Sequence, residues 1–352
     1  ERKLIVQSGK ERRDVDFTQE QLHEELIDNA LVRVTRLSRN IYFLSGHGER
    51  RIDDENDEGF SNVVSTFEHN NMVVKSFVLE SVGGVPEDCD VLVIAGPKKE
   101  LTEKEVELIQ KYLLDGGDAL ILVEHAMVTT PDKPLTPQQI RLNPSLNNIL
   151  NQWSLDVADD VVVDLKSHAS GDVGSPATRN YMAHKGIIKG LDYTVYIRPR
   201  SISLKERMRK TIGAAPFVLT SSAQSSWGET NRTLKISYDE EVDRPGPVPI
   251  SYVVFEPRAP GDSSDTRMIV FTDADFLSNA YLSFYSNEQM GLNVMGWLAE
   301  SDHKFLLKPK EIKIEQLDLT SRQKRVVIVI LVGMPLMILG IGLLGWIKQI
   351  MS

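Results

Sequence analysis

The stretch Asp90–Val123, DVLVIAGPKKELTEKEVELIQKYLLDGGDALILV, decides the fold class. It opens with an apolar strand that ends before Gly96. A helix follows, and Thr102 with Glu105 three residues later forms a capping box at its start. Gly116 stops the helix, and a second apolar strand comes next. A strand, a helix and a strand within about 30 residues are typical of a βαβ unit. The sequence therefore predicts an α/β fold built on a parallel sheet with helices on both faces.

The same alternation continues on both sides of this unit. Apolar strands are predicted at 40–44, 72–79 and 268–271, and helices are predicted from Thr18, around Val63 and over 287–298. The middle of the chain is different, because Gly, Ser, Asn and Asp dominate from 166 to 183. Separate strands are expected after it, at 194–203, 217–220, 233–236 and 250–255, so residues 165–262 are interpreted as a β-rich insertion.

The domain organisation follows from these patterns. Residues 1–17 read as a β-hairpin around Ser8-Gly9-Lys10, and since the chain begins at Glu1 we expect this hairpin to be the tail of an upstream domain. An α/β domain is predicted over 18–302. A charged juxtamembrane linker without clear periodicity is predicted over 303–325.

A single membrane span is predicted over 326–347, which holds 22 residues without a charge. As a helix it would extend about 33 Å, slightly more than the hydrocarbon core of a bilayer. A buried core helix is the alternative, but such helices rarely contain more than 20 apolar residues in a row. Pro335 is expected to kink the span. Small residues provide shallow surface for a partner helix, namely Gly333, Gly340, Gly342 and Gly345.

Charge and cysteine content exclude several classes of protein. The net charge is -10 and no basic stripe occurs, which argues against a nucleic-acid partner. The single cysteine, Cys89, excludes an internal disulfide and any multi-thiolate metal site within the chain.

Polar residues follow three of the predicted strands, and ligands of open parallel sheets bind beyond the carboxyl ends of the strands. The candidate ligand-binding residues are His47, Glu49, His125, Asp273 and Asp275. Two histidines and several carboxylates could bind a metal ion or act as acid and base. The alternative is structural, with turns at Gly46 and Gly48 and with aspartates that cap the next segment. No fixed spacing such as HExxH occurs, so neither a metal nor a cofactor is predicted.

Catalytic motifs are missing from the sequence. The turn after the strand at 90–95 offers no nucleophile, and Cys89 precedes that strand and so lies at the wrong end of the sheet. Neither a G-x-x-x-x-G-K-[ST] nor a G-x-G-x-x-G motif is present. No catalytic residue is therefore predicted. Trp227, in a polar run, could stack on a sugar or contact a partner, although an ordinary loop with a packed tryptophan is the simpler interpretation.

Several segments together resemble the GldG-like auxiliary subunits of bacterial ABC transporters, named from gliding motility. They are Ile41–Glu49, Asp90–Pro97, Leu113–Gly117, Gln224–Glu229, Phe271–Asn279 and Asn293–Glu300. The resemblance implies a flavodoxin-like domain similar to class I glutamine amidotransferases but without their catalytic cysteine. It also implies a non-catalytic subunit of the bacterial inner membrane, which works beside an ATPase and a permease supplied by other chains.

The resemblance further implies that the large domain is periplasmic. The charges that flank the predicted span indicate the opposite orientation. Three basic residues lie on the domain side of the span, namely Arg322, Lys324 and Arg325, and only Lys348 lies beyond it. By the positive-inside rule, this distribution favours a cytoplasmic domain. An upstream helix can dominate orientation, so the periplasmic expectation is kept. The expected partners are the ATPase, the permease, the lipid bilayer and an envelope protein or glycan, with a homodimer possible inside the complex. A membrane-tethered solute- or carbohydrate-binding domain is the alternative function, followed by a divergent hydrolase.

Overall fold

The computed structural model describes residues 3–8, 11–16, 27, 38–130, 133–182, 186–205, 209–233, 235–257 and 265–299. All of these residues belong to the compact unit Glu1–Leu306. Within the described ranges, no helix is long and apolar enough to cross a bilayer. The predicted linker and membrane span lie outside these ranges, as does nearly all of the helix expected after Thr18.

The strands and helices are numbered in chain order. The strands are β1 (Lys3–Ser8), β2 (Glu11–Asp16), β3 (Arg39–Leu44), β4 (Met72–Phe77), β5 (Val91–Ala95), β6 (Asp118–Leu122), β7 (Leu155–Val157), β8 (Val161–Asp164), β9 (Ala177–Thr178), β10 (Asn180–Tyr181), β11 (Thr194–Val195), β12 (Ile202–Leu204), β13 (Gly213–Leu219), β14 (Ser226–Glu229), β15 (Arg244–Pro245), β16 (Pro249–Glu256) and β17 (Thr266–Phe271). The helices are α1 (Ser61–His69), α2 (Leu79–Val82), α3 (Glu103–Leu114), α4 (Pro137–Arg141), α5 (Asn147–Leu150) and α6 (Asn287–Leu298), with 3₁₀ turns at Asn151–Trp153 and Asp275–Leu277.

Eight strands form the central sheet, in the order β10-β13-β16-β17-β6-β5-β3-β4. The five strands from β4 to β17 are parallel. Counted along the chain, these five strands have the order 2-1-3-4-5, which is the flavodoxin-like order. The predicted parallel sheet is thus confirmed.

The sheet is mixed, because β16, β13 and β10 add three antiparallel strands beside β17. These strands come from the region interpreted as a β-rich insertion, so part of that region extends the central sheet. The physical reason is that an unpaired β17 would leave a row of backbone N–H and C=O groups without partners, and β16 pairs with all six of its residues.

The strands and the helix of residues 90–123 form where the sequence predicts them. Both halves of the capping box at Thr102 and Glu105 are present, and α3 buries Val106, Ile109 and Leu113 on one face. Every residue of β5 and β6 is buried, as expected for parallel strands covered on both sides. The predicted hairpin strands are also present, since β1 and β2 pair antiparallel from Lys3 with Asp16 to Ser8 with Glu11.

Two hydrophobic cores lie on opposite faces of the sheet. Along β3 the alternation sends Ile41 and Phe43 into one core and Tyr42 and Leu44 into the other. The first core contains side chains from α1 and α6, and the second contains side chains from α3, α5 and the 3₁₀ turn that ends at Trp153. The domain is therefore a three-layer α/β/α arrangement.

Between residues 194 and 236 the observed strands differ from the predicted ones. The described residues of 233–236 are not a strand, because the Asn231 side chain accepts a hydrogen bond from the Thr233 N–H and forms a turn there. The predicted strand at 194–203 is instead β11 and β12, separated at Arg198, whose φ is 45°. Residues 226–229, expected to be a loop, form β14, which is buried between β8 and β15.

Candidate functional site

The candidate site lies at the carboxyl edge of the parallel strands. The strand order reverses between β3 and β5, which is the switch point where open α/β sheets bind ligands. Two backbone hydrogen bonds join the loops there, from Arg50 N–H to Ala95 O at 2.8 Å and from Lys98 N–H to His47 O at 2.8 Å. The loops that follow β6 and β17 complete the edge with Glu124, His125 and Asp273–Asp275.

Arg50 is the centre of the site. Its Nη2 donates to Glu124 Oε1 at 2.7 Å and to Asp275 Oδ1 at 2.7 Å, while Nη1 donates to Glu58 Oε2 at 2.7 Å. The Arg50 side chain is only 3% exposed. Burial by itself lowers the pKa of Arg50, but the surrounding carboxylates outweigh burial and raise it. The guanidinium is therefore a permanent buried charge that neutralises its acidic neighbours.

His125 lies between the same two carboxylates. Its Nδ1 is 2.7 Å from Glu124 Oε1 and 2.8 Å from Asp275 Oδ2, yet neither oxygen meets it in hydrogen-bond geometry. Burial opposes the charged form, but Asp275 and Glu124 prevail and raise the pKa of His125 to about 10. The ring is 32% exposed, more than the side chains of Arg50, Glu124 and Asp275, with which it forms the charged cluster.

The two aspartates after β17 have different surroundings. Asp273 is fully buried, and its oxygens accept the N–H groups of Ile197 and Asp275, each at 2.8 Å. Burial, together with nearby Asp275, raises the pKa of Asp273 to about 8. Burial also acts to raise the pKa of Asp275, but His125 and Arg50 outweigh it and lower that pKa. Asp273 thus holds the loop through backbone hydrogen bonds, whereas Asp275 is the ionised partner of Arg50 and His125.

His47 and Glu49 form a second group beside the first. Glu49 accepts the His47 backbone N–H at 2.7 Å and lies 3.2 Å from His47 Nδ1. On the other side, His47 Nε2 is 3.1 Å from Glu105 Oε2, the capping carboxylate of α3. Burial opposes ionisation of Glu105, but the hydrogen bonds from Thr102 and the contact with His47 give it a lowered pKa. His47 therefore ties the β3 loop to the start of α3.

Gly96 occupies the turn where a hydrolase of this kind of sheet would carry its nucleophile. Its φ is 62°, a left-handed conformation that favours glycine. A Cβ at this position would be 2.9 Å from Glu124 Oε2 and 3.1 Å from the Ala274 Cβ. The turn thus has no room for a side chain, because the charged cluster already fills the space.

The structure brings together four of the five predicted residues as two pairs, His47 with Glu49 and His125 with Asp275. Sequence reasoning missed Arg50 as a site residue, did not commit to Glu124, and assigned Glu105 only to a helix cap. A usable signal existed for Glu124, since it directly follows the apolar run 119–123. Nothing local distinguishes Arg50 from the exposed Arg51 next to it.

Trp227 is 6% exposed and belongs to β14. Its Nε1 donates to Glu229 Oε2 at 3.1 Å, and its ring packs edge-on against Tyr238. Its ring is therefore packed within the protein and does not form an exposed platform for a sugar.

Cys89 precedes β5 and lies 3.6 Å from Tyr112 Oη, at the opposite edge of the sheet from the charged cluster. Burial raises the pKa of its thiol to about 12. At pH 8 we expect iodoacetamide to alkylate the folded protein about a thousandfold more slowly than the unfolded chain, because a free thiol has a pKa of about 8.5. Mass spectrometry of timed samples, with and without urea, measures this ratio. Equal rates would show that Cys89 is accessible and ionisable in the folded state.

Solved structures resemble the domain in fold. The mmIFT52 N-terminal domain is 17% identical with a TM-score of 0.51, and the match covers 75% of this chain and 99% of that chain. A putative ThuA-like protein from Parabacteroides merdae is 12% identical with a TM-score of 0.40, over 78% of this chain and 94% of that chain. A putative GMP synthase component from Thermoplasma acidophilum is 12% identical with a TM-score of 0.34, over 76% and 96%. At 17% identity, the likeness to the mmIFT52 N-terminal domain concerns the fold alone.

No curated protein is significantly similar to the sequence. A family model does match it, over residues 38–305, and its description is "ABC-type uncharacterized transport system". The match includes the whole central sheet and every residue of the charged cluster. The chain therefore belongs to this family of auxiliary components of ABC-type transport, ABC_transp_aux.

Proposed function

We propose that the chain is a GldG-like, membrane-anchored auxiliary subunit of a bacterial ABC transport complex. Family membership supports this, because it assigns the chain a transport-associated auxiliary role. The sequence has no G-x-x-x-x-G-K-[ST] motif for ATP, so the ATPase would be another subunit. The glycine at the nucleophile turn and the unreactive Cys89 agree with a non-catalytic part.

The anchor in this proposal is the uncharged segment 326–347, inserted in the inner membrane with the α/β domain on the periplasmic side. Its small residues and its proline would pack on permease helices; they are Gly333, Pro335, Gly340, Gly342 and Gly345. Movement of the permease would then change the orientation of the anchored domain. Coupling of this kind needs a stiff domain, and the paired charges between β3, β6 and β17 are suited to stiffen it.

The α/β domain would recognise an envelope protein, a glycan or the transported substrate. Polar side chains at its carboxyl edge already have partners inside the domain, with Arg50 donating to Glu124 and Asp275 and with His47 in contact with Glu49 and Glu105. An organic solute that inserts among these side chains would have to break several of these contacts. This favours a partner that binds at the surface of the domain over an organic solute that inserts among these side chains.

The test is purification of the full-length chain from its native membrane in mild detergent. We expect an ABC ATPase and a polytopic permease to co-purify in comparable amounts, measured by quantitative mass spectrometry. Recovery of the chain alone would overturn the complex and favour the second candidate, a membrane-tethered solute- or carbohydrate-binding domain. That candidate is supported by the position of His47 after β3, at the switch point, and of His125 after β6 on the same edge, because ligands of such sheets bind at this edge.

The anchor is tested by the double variant Gly340→Leu and Gly342→Leu. Leucine fills the shallow surface that close helix packing needs, so we expect a several-fold loss of co-purified permease. Leu343→Ile in the same segment is the matched control, because it leaves the glycines and the hydrophobicity in place. Unchanged recovery in the double variant would remove this face of the segment from the interface.

A further inference from the structure

We propose that Glu124, His125 and Asp275 form a binding site for one divalent transition-metal ion of the Zn²⁺, Co²⁺ or Mn²⁺ type. This inference goes beyond the transport role and does not depend on it. Each residue offers one ligand atom, and the three atoms all lie within 4.8 Å of one another. An imidazole nitrogen with carboxylate oxygens favours a first-row transition metal over Ca²⁺ or Mg²⁺, which prefer oxygen ligands alone.

The spacing of the ligand atoms is close to that of a coordination sphere. Nδ1 of His125 is 2.7 Å from Glu124 Oε1 and 2.8 Å from Asp275 Oδ2. Around an ion with bonds of about 2.1 Å, neighbouring ligand atoms are about 3.0–3.4 Å apart in octahedral or tetrahedral geometry. An opening of a few tenths of an ångström would therefore bring the two His125 contacts to the spacing of a coordination shell. All three ligand atoms already lie within 4.8 Å of one another.

Two independent observations point to a ligand. The His125 Nδ1 is buried between two carboxylates, yet it forms no well-aligned hydrogen bond with either. Glu124 is 4% exposed, and its Oε2 has no hydrogen-bond partner among the described residues. A buried carboxylate oxygen without a partner is costly, and a cation held by both oxygens of Glu124 would relieve that cost.

Paired strands and buried hydrogen bonds hold these residues in place. Glu124 and His125 follow β6, Asp275 follows β17, and the two strands are paired in parallel up to Phe271 and Leu122. Arg50 joins Glu124 to Asp275, because its Nη2 donates to Glu124 Oε1 and to Asp275 Oδ1. Partners of this kind orient metal ligands and tune their affinity. Arg50 would be such an outer partner.

Access to the site comes from His125, whose ring is 32% exposed. Three protein ligands leave one or more coordination positions for water or for another molecule. Closed structural zinc sites use four protein ligands, whereas exchangeable sites keep a position open. The metal site at Glu124, His125 and Asp275 is of the open kind.

The test uses the full-length chain in mild detergent, stripped with EDTA and dialysed. Isothermal titration with Zn²⁺ and with Co²⁺ should give one equivalent of tight binding, and Zn²⁺ should raise the melting temperature in proportion to ligand excess. His125→Ala should weaken this binding at least about 100-fold, as expected when a ligand itself is lost rather than its outer partner. Asp275→Asn, which keeps the shape of the side chain, should weaken it similarly.

His69→Ala is the matched control, because His69 is exposed on α1 and away from the strand ends. It should bind one equivalent as the unaltered chain does. Circular dichroism verifies the fold of each variant, and Asp275→Asn decides the case where His125→Ala does not fold. The proposal is overturned if the unaltered chain binds no single equivalent of either metal. It is equally overturned if a folded His125→Ala or Asp275→Asn variant binds one equivalent with the affinity of the unaltered chain.

Discussion

Replacing Arg50 with methionine should lower the free energy of unfolding by about 3–5 kcal/mol, the usual cost of removing one partner from a buried ion pair. Methionine keeps the apolar stem but leaves Glu124 and Asp275 without their shared donor. Both carboxylates are at least nine-tenths buried, so water cannot replace the guanidinium. Two ionised carboxylates facing each other would also repel.

Urea unfolding of the full-length chain in mild detergent, followed by tryptophan fluorescence, measures this loss. Arg51→Met is the matched control, because Arg51 is the next residue and its side chain is 71% exposed beside Asp53. We expect its urea midpoint to equal that of the unaltered protein. An Arg50→Met variant with an unchanged midpoint would show that the carboxylates do not need the guanidinium, and the account of the charged cluster would be wrong.

Replacing Phe271 with alanine should cost about 3–5 kcal/mol, as for other buried aromatic side chains. Phe271 is fully buried at the end of β17. Its ring centroid lies 4.7 Å from that of Phe276, 6.0 Å from that of Tyr196 and 6.1 Å from that of Phe217. Alanine would leave a cavity beneath the loop that carries Asp273 and Asp275, and the surrounding rings can close it only in part.

Phe271→Leu is the graded comparison, since leucine fills much of the same volume. We expect it to lose less than half as much stability as Phe271→Ala in the same urea experiment. Equal losses for the two variants would mean that ring contacts, and not filled volume, stabilise this end of β17. No loss of stability for either variant would show that the contacts of Phe271 with Phe276, Tyr196 and Phe217 do not contribute the predicted free energy of unfolding.

Most of the fold could be predicted because its signals are local. The capping box at Thr102 and Glu105, the helical spacing of Val106, Ile109 and Leu113, and the apolar runs at 91–95 and 119–123 act over a few residues. Such signals place single elements without reference to partners. The same reasoning failed at 226–229, because β14 is stabilised by pairing with β8 and β15 and not by its own serine-rich sequence.

The candidate site could be predicted only in part. His125 and Asp275 were recognisable from their place after predicted strands, since parallel strands put their carboxyl ends on one edge. The role of Arg50 was not recognisable, because its partners Glu124 and Asp275 lie 74 and 225 residues away along the chain. No spacing rule connects positions so distant. For the same reason the three proposed metal ligands match no sequence motif.

By itself the sequence determined the α/β class, the parallel core of the sheet, the capped helix α3 and the missing nucleophile. These depend on periodicity, caps and residue identity, all of which act within one element or one turn. Only the tertiary structure decided that β13 and β16 complete the central sheet, that Glu105 meets His47, and that Arg50 joins Glu124 to Asp275. Those contacts depend on strand order, because the 2-1-3-4-5 arrangement brings remote loops to one edge and burial then makes their charges pair.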